Sequence, residues 1–165
     1  MSLAELDRAV LIVARTRAHP YWLERAAAAY SRAGEHGACW LGLAGVGALL
    51  DRRPGARARW LRGATIVVAA NGLNYGVKLV VRRRRPQLDG LPPLVGTVSG
   101  LSFPSAHCTM SFAAARAFGG LIPSSALYAP AVAFALNRPY LGVHYPSDVV
   151  AGAVLGTAIA EAWPS

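Results

Sequence analysis

Apolar runs of helical length alternate along the chain with short stretches rich in arginine, proline and glycine. Residues 3 to 34 mix apolar and charged positions at helical spacing, in LAELDRAVLIVARTR and YWLERAAAAYSRA, with Pro20 between the two stretches. This pattern predicts two amphipathic helices lying in a membrane interface or against a bundle. The run GACWLGLAGVGALL, Gly37 to Leu50, is apolar but short for a hydrocarbon core of roughly 30 Å, and spans only if extended backwards.

Leu61 to Val81 predicts a full span. Asn71, Asn74 and Lys78 fall three and four residues apart within it, so they share one face that must look inward. Arg82 to Phe103, with four arginines, three prolines and three glycines, reads as a loop. Helices are predicted from Ser105 to Ile122, from the Pro123-Ser124-Ser125 connection to about Asn137, and from Pro146 to Trp163. Pro146 suits a first helical turn, and Gly152, Gly156 and Ala160 recur every four residues, which permits close helix packing.

The fold class expected is all-α: a polytopic membrane helix bundle of about five spanning helices plus N-terminal amphipathic helices. One integral-membrane domain is expected over residues 1–165, with amphipathic helices in 1–35 and the bundle in 36–163.

Composition agrees with a membrane setting. Hydrophobic residues make up 54% and charged residues 15%, against roughly 25% charged in an average soluble domain. The net charge of +9 comes largely from arginines between apolar runs, at Arg52, Arg53, Arg57, Arg59, Arg62 and Arg82 to Arg85. Anionic head groups are the natural partner there, and Arg82 to Arg84 read as head-group anchors. No basic stripe interleaves with aromatics, so no nucleic-acid partner is expected. Cys39 and Cys108 read as buried small hydrophobes, and His19 and His36 as structural or interfacial. The opening MSLAELDRAV has no basic start before an apolar core, so no cleavable signal is expected.

Three polar clusters interrupt the apolar plan: Lys78 (the sole lysine) with Arg85-Pro86, then Pro104-Ser105-Ala106-His107, then Arg138 with His144 and Asp148. Because successive spans reverse direction, the predicted helix ends put all three on one side of the membrane. His144 and Asp148 are four residues apart at a helix opening, a spacing that can set a carboxylate on one imidazole nitrogen and leave the other electron-rich. Such a histidine is a good nucleophile toward phosphorus. His107, at another helix opening, is placed to act as general acid. Lys78, Arg85 and Arg138 would neutralise phosphoryl oxygens. Ser105 and the backbone N–H groups of its helix start, Ala106 included, would add hydrogen bonds. No acidic cluster is available for magnesium, so no metal or other cofactor is expected.

Lys78, six residues, Arg85-Pro86; Pro104-Ser105-x-His107; and Arg138, five residues, His144, three residues, Asp148 together resemble the tripartite signature of the type 2 phosphatidic acid phosphatase family, whose site is shared with vanadium haloperoxidases. The resemblance implies a metal-independent membrane lipid phosphatase with His144 forming a phosphohistidine, Asp148 assisting it and His107 as the acid. Lys78, Arg85, Ser105, Ala106 and Arg138 would bind the phosphate. Two positions depart from the family pattern: Ala106 stands where glycine is usual, and Asn137 where serine commonly precedes the arginine. The compact size resembles small bacterial members, implying a multi-pass plasma-membrane enzyme on a polyprenyl-linked substrate such as decaprenylphosphoryl-5-phosphoribose. Undecaprenyl pyrophosphate, phosphatidylglycerophosphate and phosphatidic acid are alternative substrates. A vanadate-dependent haloperoxidase, or an inactive lipid-binding homologue disabled by Ala106, are alternative functions.

Overall fold

The computed structural model describes residues 1–164. It contains α1 (Leu3–Thr16), α2 (Tyr21–Ala33), a 3-10 turn (Glu35–Gly37), α3 (Ala38–Leu50), α4 (Ala56–Val81), α5 (Ala106–Ala117), α6 (Ser124–Tyr140) and α7 (Pro146–Ala162). Among the described residues the only β pairing is two isolated bridges, Arg84 with Leu101 and Gly119 with Ile122. The all-α expectation holds in this form. Among the described residues one helix, Ala56–Val81, is long and apolar enough by itself to cross a membrane.

Helix α5 is the hub, packing on α4, α6 and most extensively on α7. Side chains from Cys108 to Ala115 are nearly all buried. Small residues make the α5–α7 contact possible. A Cβ on Gly152 would sit 2.6 Å from the Ser105 carbonyl oxygen, and one on Gly156 would overlap the Thr109 carbonyl. Close backbone approach of this kind is how helices associate where lipid offers no hydrophobic drive. The glycine spacing in α7 therefore does what its periodicity predicts.

Trp40, Trp60, Met110 and Phe118 belong to the largest apolar cluster, which runs from the cavity, where Met110 lies, to the opposite end of the bundle. Each buried indole N–H is used: Trp40 donates to Ser111 Oγ at 2.9 Å and Trp60 to Asp51 Oδ2 at 3.0 Å. Several arginines expected to meet head groups at this end instead hold backbone carbonyls. Arg53 donates to Leu121 O, Arg59 to Gly119 O, and Arg62 to Trp163 O and Pro164 O. They satisfy carbonyls around the C-terminal ends of α5 and α7, where cations also suit the helix dipole. Arg116 pairs with Glu161 at 3.2 Å on the exposed surface.

Three element boundaries differ from the periodicity. Helix α3 does not extend backwards: His36 and Gly37 adopt left-handed angles, so the chain turns before Ala38. Helix α5 stops at Ala117, because a turn through Gly119 and Gly120 (φ +75°) replaces the last predicted turn of helix. Helix α6 continues past Asn137 to Tyr140 despite Pro139.

Helix α1 is amphipathic in an inverted sense. Its buried residues are Asp7, Leu11 and Arg15, one helical turn apart, while Leu3, Leu6, Val10 and Val13 are exposed. The polar stripe faces protein. Ser2 and Glu5 form a capping box at its start.

Candidate active site

The C-terminal end of α4, the start of α5, the end of α6 and the α6–α7 connection surround one cavity of about 440 Å³. Lys78, Arg85, Ala106, His107, Arg138 and His144 all line it. Helix parity explains the meeting: alternate helix ends in an antiparallel bundle share a side.

Lys78 is buried, and its ammonium donates to three carbonyls, of Leu101 (3.3 Å), Ser102 (3.2 Å) and Pro104 (2.8 Å). It thus ties the long connection down while placing a cation in the cavity wall. Asn74, one turn earlier, donates to Pro104 O and Thr109 Oγ1, an interhelical role. Asn71 lines the cavity.

Arg82 caps α4 in a left-handed conformation (φ +53°), and the chain then runs extended against residues 100–102, with Ser102 N donating to Arg83 O and Arg85 N to Gly100 O. Alternate residues of an extended segment face opposite sides. Arg83 and Arg85 accordingly turn inward, and Arg84 is exposed. Arg85 donates through Nε to Ser99 O (2.8 Å) and through Nη1 to Val143 O (2.7 Å). Nη1 also lies 3.2 Å from His144 Nε2. Burial lowers the Arg85 pKa, and Asp148 opposes that shift.

An arginine can only donate, so His144 Nε2 must be the acceptor and Nδ1 must carry the ring hydrogen. Nδ1 is buried without a hydrogen-bond partner among the described residues and faces Asp148 Oδ2 at 3.6 Å, longer than a hydrogen bond. Asp148 is itself fixed: Oδ2 accepts from Tyr145 N at 2.9 Å and Oδ1 from Arg83 Nη1 at 2.8 Å. Burial pushes the His144 pKa down to about 3, with the charges of Arg85, Arg138 and Lys78 adding to that and Asp148 opposing it. The ring is therefore a neutral base with its lone pair on Nε2.

His107 is held from a different direction. Its Nε2 lies 3.0 Å from the Ser31 carbonyl oxygen, which can only accept, so Nε2 carries a hydrogen and Nδ1 is the nitrogen left for proton transfer. The ring's Cδ2 edge packs at the end of α2, where a Cβ on Gly34 would come within 2.9 Å of it. Ser31 Oγ in turn accepts from Arg138 Nη1 at 2.7 Å. Arg138 is buried, and its Nε has no partner among the described residues.

Ser105 occupies the N-cap of α5, and its N–H donates to Asp148 O at 2.9 Å. It is fully buried, its Oγ has no partner among the described residues, and it is not among the residues lining the cavity. Ala106 is the first residue of α5, with ordinary helical backbone. A methyl group strains nothing there, and its N–H remains one of the free donors of a helix start. Asn137 Nδ2 donates to Ala27 O at 3.1 Å and fastens α6 to α2.

Residue spacing left several contributors unmarked. Ser31 contacts both His107 and Arg138. His36, read as structural or interfacial, lines the cavity together with Glu35. Arg83, read as a head-group anchor, bridges Asp148 to Asp7. The Arg83 reading is corrected by the extended backbone after Arg82, which no feature of a four-arginine run could reveal. His19 is structural: it bonds Glu24 and Ala14 O and stacks on Tyr140. Among the described residues no three His, Cys, Asp or Glu side chains gather as a metal-ligand set.

Comparison with known proteins gives a consistent result. Residues 59–164 match the family model described as the PAP2 superfamily. The chain is 44% identical over 128 residues to the decaprenylphosphoryl-5-phosphoribose phosphatase of Mycolicibacterium smegmatis, covering 76% of this chain and 69% of that one. Its fold is similar to the crystal structure of Aquifex aeolicus LpxE, with TM-score 0.79 and 22% identity over 94% of this chain and 93% of that one. It is also similar to a transmembrane PAP2-type phosphatidylglycerolphosphate phosphatase from Bacillus subtilis, with TM-score 0.75 and 24% identity over 96% and 83% of the two chains.

Proposed function

The chain belongs to the PAP2 superfamily, and from that premise we propose that it is a multi-pass membrane phosphatase acting on a polyprenyl-linked phosphosugar, with decaprenylphosphoryl-5-phosphoribose the leading substrate. The observation that carries this reading is the convergence of Lys78, Arg85, Arg138, His107 and His144 on one cavity. Three cations around one anion, with a neutral imidazole beside them, suit phosphoryl transfer without a metal.

In the proposed reaction the substrate phosphate draws Arg85 onto its oxygens and frees His144 Nε2, which attacks phosphorus in line. Beside the dianionic phosphate His107 takes up a solvent proton at Nδ1 and becomes an imidazolium, and the P–O bond to the sugar breaks as Nδ1 gives that proton to the departing alkoxide. Asp148 takes up the charge that forms on the His144 ring. Water then attacks the phosphohistidine and passes its proton to His107 Nδ1. The P–N bond breaks, and inorganic phosphate leaves.

The cavity is larger than a phosphate needs, and its remaining wall includes Glu35, His36, Asn71, Thr97 and Ser99. Such groups suit a hydroxylated head group, which favours a phosphosugar over a bare phosphatidate.

Five spans, α3 to α7, would place this cavity near a bilayer boundary. Their outer surfaces carry large apolar residues, including Leu49 (81% exposed), Val80 (83%), Leu136 (70%) and Val154 (64%), as a lipid-facing surface would. Helix α5 covers only about 18 Å at 1.5 Å per residue. It is enclosed by its neighbours and does not have to match the bilayer alone.

The test is phosphate release by the purified protein in detergent with EDTA, comparing phosphoribosyl polyprenyl lipid, undecaprenyl pyrophosphate, phosphatidic acid and phosphatidylglycerophosphate. The highest kcat/KM is expected on the phosphoribosyl lipid, with His144→Ala inactive. Release from none of the four, or undiminished release by His144→Ala, would overturn the reading.

A further inference from the structure

Resting on the reading of His144 as the nucleophile, we propose that Arg83 and Asp7 are positioning residues for the reaction, through which α1 holds the Asp148–His144 pair in place.

Asp7 (2% exposed) and Asp148 (0% exposed) are both buried carboxylates. A buried carboxylate needs a counter-charge and hydrogen-bond donors, or it is strongly disfavoured. One guanidinium serves both. Arg83 Nη1 donates to Asp148 Oδ1 at 2.8 Å and to Ser147 Oγ at 2.7 Å, and Nη2 donates to Asp7 Oδ2 at 2.8 Å. Its plane lies over the Tyr145 ring, 4.1 Å from the centroid. Asp7 also accepts from Ser147 N at 2.8 Å and from Ser147 Oγ. Burial would raise the Asp7 pKa, but the hydrogen bonds from Arg83 and Ser147 prevail and hold it below its ordinary value, so it stays ionised.

The second anchor of α1 lies two turns on. Arg15 donates to Tyr140 O at 3.2 Å and to Pro92 O at 2.7 Å. Helix α1 therefore grips both ends of the segment 140–148, and His144 is in its middle. Neither Asp7 nor Arg15 falls within the family-matched residues 59–164.

Arg83 also sets how much negative charge the His144 ring feels. The groups facing that ring are Asp148 from α7, Arg85 from the long connection, Lys78 from α4 and Arg138 from α6, with His107 of α5 across the cavity. Asp148 is the only anion among them, and Arg83 neutralises it from behind. Removing Arg83 leaves the whole carboxylate charge to the imidazole, which then takes up a proton more readily. Removing the charge of Asp7 has the opposite sense, since Arg83 then draws Asp148 more strongly away from the ring.

The experiment compares wild type, Asp7→Asn, Arg83→Gln and Arg83→Lys in detergent, measuring kcat, KM, vanadate inhibition and the pH dependence of kcat. Asp7→Asn and Arg83→Gln are each expected to lower kcat by about tenfold to a hundredfold, the scale seen when a group orienting a reacting residue is lost. KM and vanadate inhibition should stay within about twofold, because the phosphate cradle is untouched. Arg83→Lys should recover most of the kcat lost in Arg83→Gln, and the acid limb, set by the substrate phosphate, should not move in any of the variants. If the variants only melt earlier, with kcat per folded molecule unchanged, the contacts are structural and the inference fails. An active wild type with unaffected variants overturns this inference alone, whereas an inactive wild type overturns the phosphatase reading as well.

Discussion

Arg85 Nη1 sits 3.2 Å from His144 Nε2 and points a hydrogen at the lone pair proposed to attack phosphorus. The proposed nucleophile is thus covered by the cation that the substrate must recruit. Arg85→Lys keeps a charge but loses the fork that reaches Val143 O, Ser99 O and the imidazole together. We expect kcat to fall by about 10² to 10³, the scale of a lost transition-state donor, with weaker vanadate inhibition. Steady-state kinetics with and without vanadate check this.

Ser31 and Gly34 separate the two halves of the reaction. Ser31→Ala removes the hydroxyl that accepts from Arg138 but leaves the carbonyl on His107. A hydrogen bond to a charged group contributes about 1.5–3 kcal/mol, so KM should rise about tenfold or more with kcat nearly kept. Gly34→Ala would press on the Phe134 and His107 rings and should lower kcat with KM nearly kept. Paired measurements of kcat and KM decide both.

Gly156 is where α7 meets the backbone of α5. Gly156→Ala puts a methyl group into the Thr109 carbonyl, and overpacking of this sort costs about 1–3 kcal/mol. Thermal unfolding in detergent should show a lower midpoint than for Gly76→Ala, where a Cβ meets open space.

The buried His144 ring stays neutral because burial pushes its pKa down to about 3 from 6.5. It therefore keeps the Nε2 lone pair proposed to attack phosphorus as pH falls from 7 to 5. The acid limb of activity should instead follow the second ionisation of the substrate phosphate, near about pH 6. Substrates differing in that ionisation should shift the limb in step. The same depression makes stability fall with pH below 6.5, since the unfolded chain binds a proton that the folded one excludes. Unfolding midpoints of wild type and His144→Gln between pH 7 and 5 check the sign.

The helix order and the gathering of three polar clusters were legible because both follow from periodicity and antiparallel connection. Lys78, His107, Arg138 and His144 meet for that reason. Contacts chosen by tertiary packing left no such trace. Nothing distinguishes Arg83 from Arg82 or Arg84 until the backbone turns left-handed at Arg82 and runs extended. Ser31 is one small polar residue in an amphipathic pattern, and it matters only because α2 ends beside His107. Ser105 shows the converse: its motif position was plain, but its side chain lies behind the cavity wall. The inversion of α1 was hidden too, since a helical wheel shows two faces without saying which meets lipid.

The family match starts at residue 59, yet Ser31 presses on His107 and Arg138 from outside that boundary. A fragment cut to the matched residues would lack one side of its own reaction chamber. Minimised, permuted or fused versions of this protein therefore have to keep the leading helices, whatever a sequence profile marks as the catalytic unit.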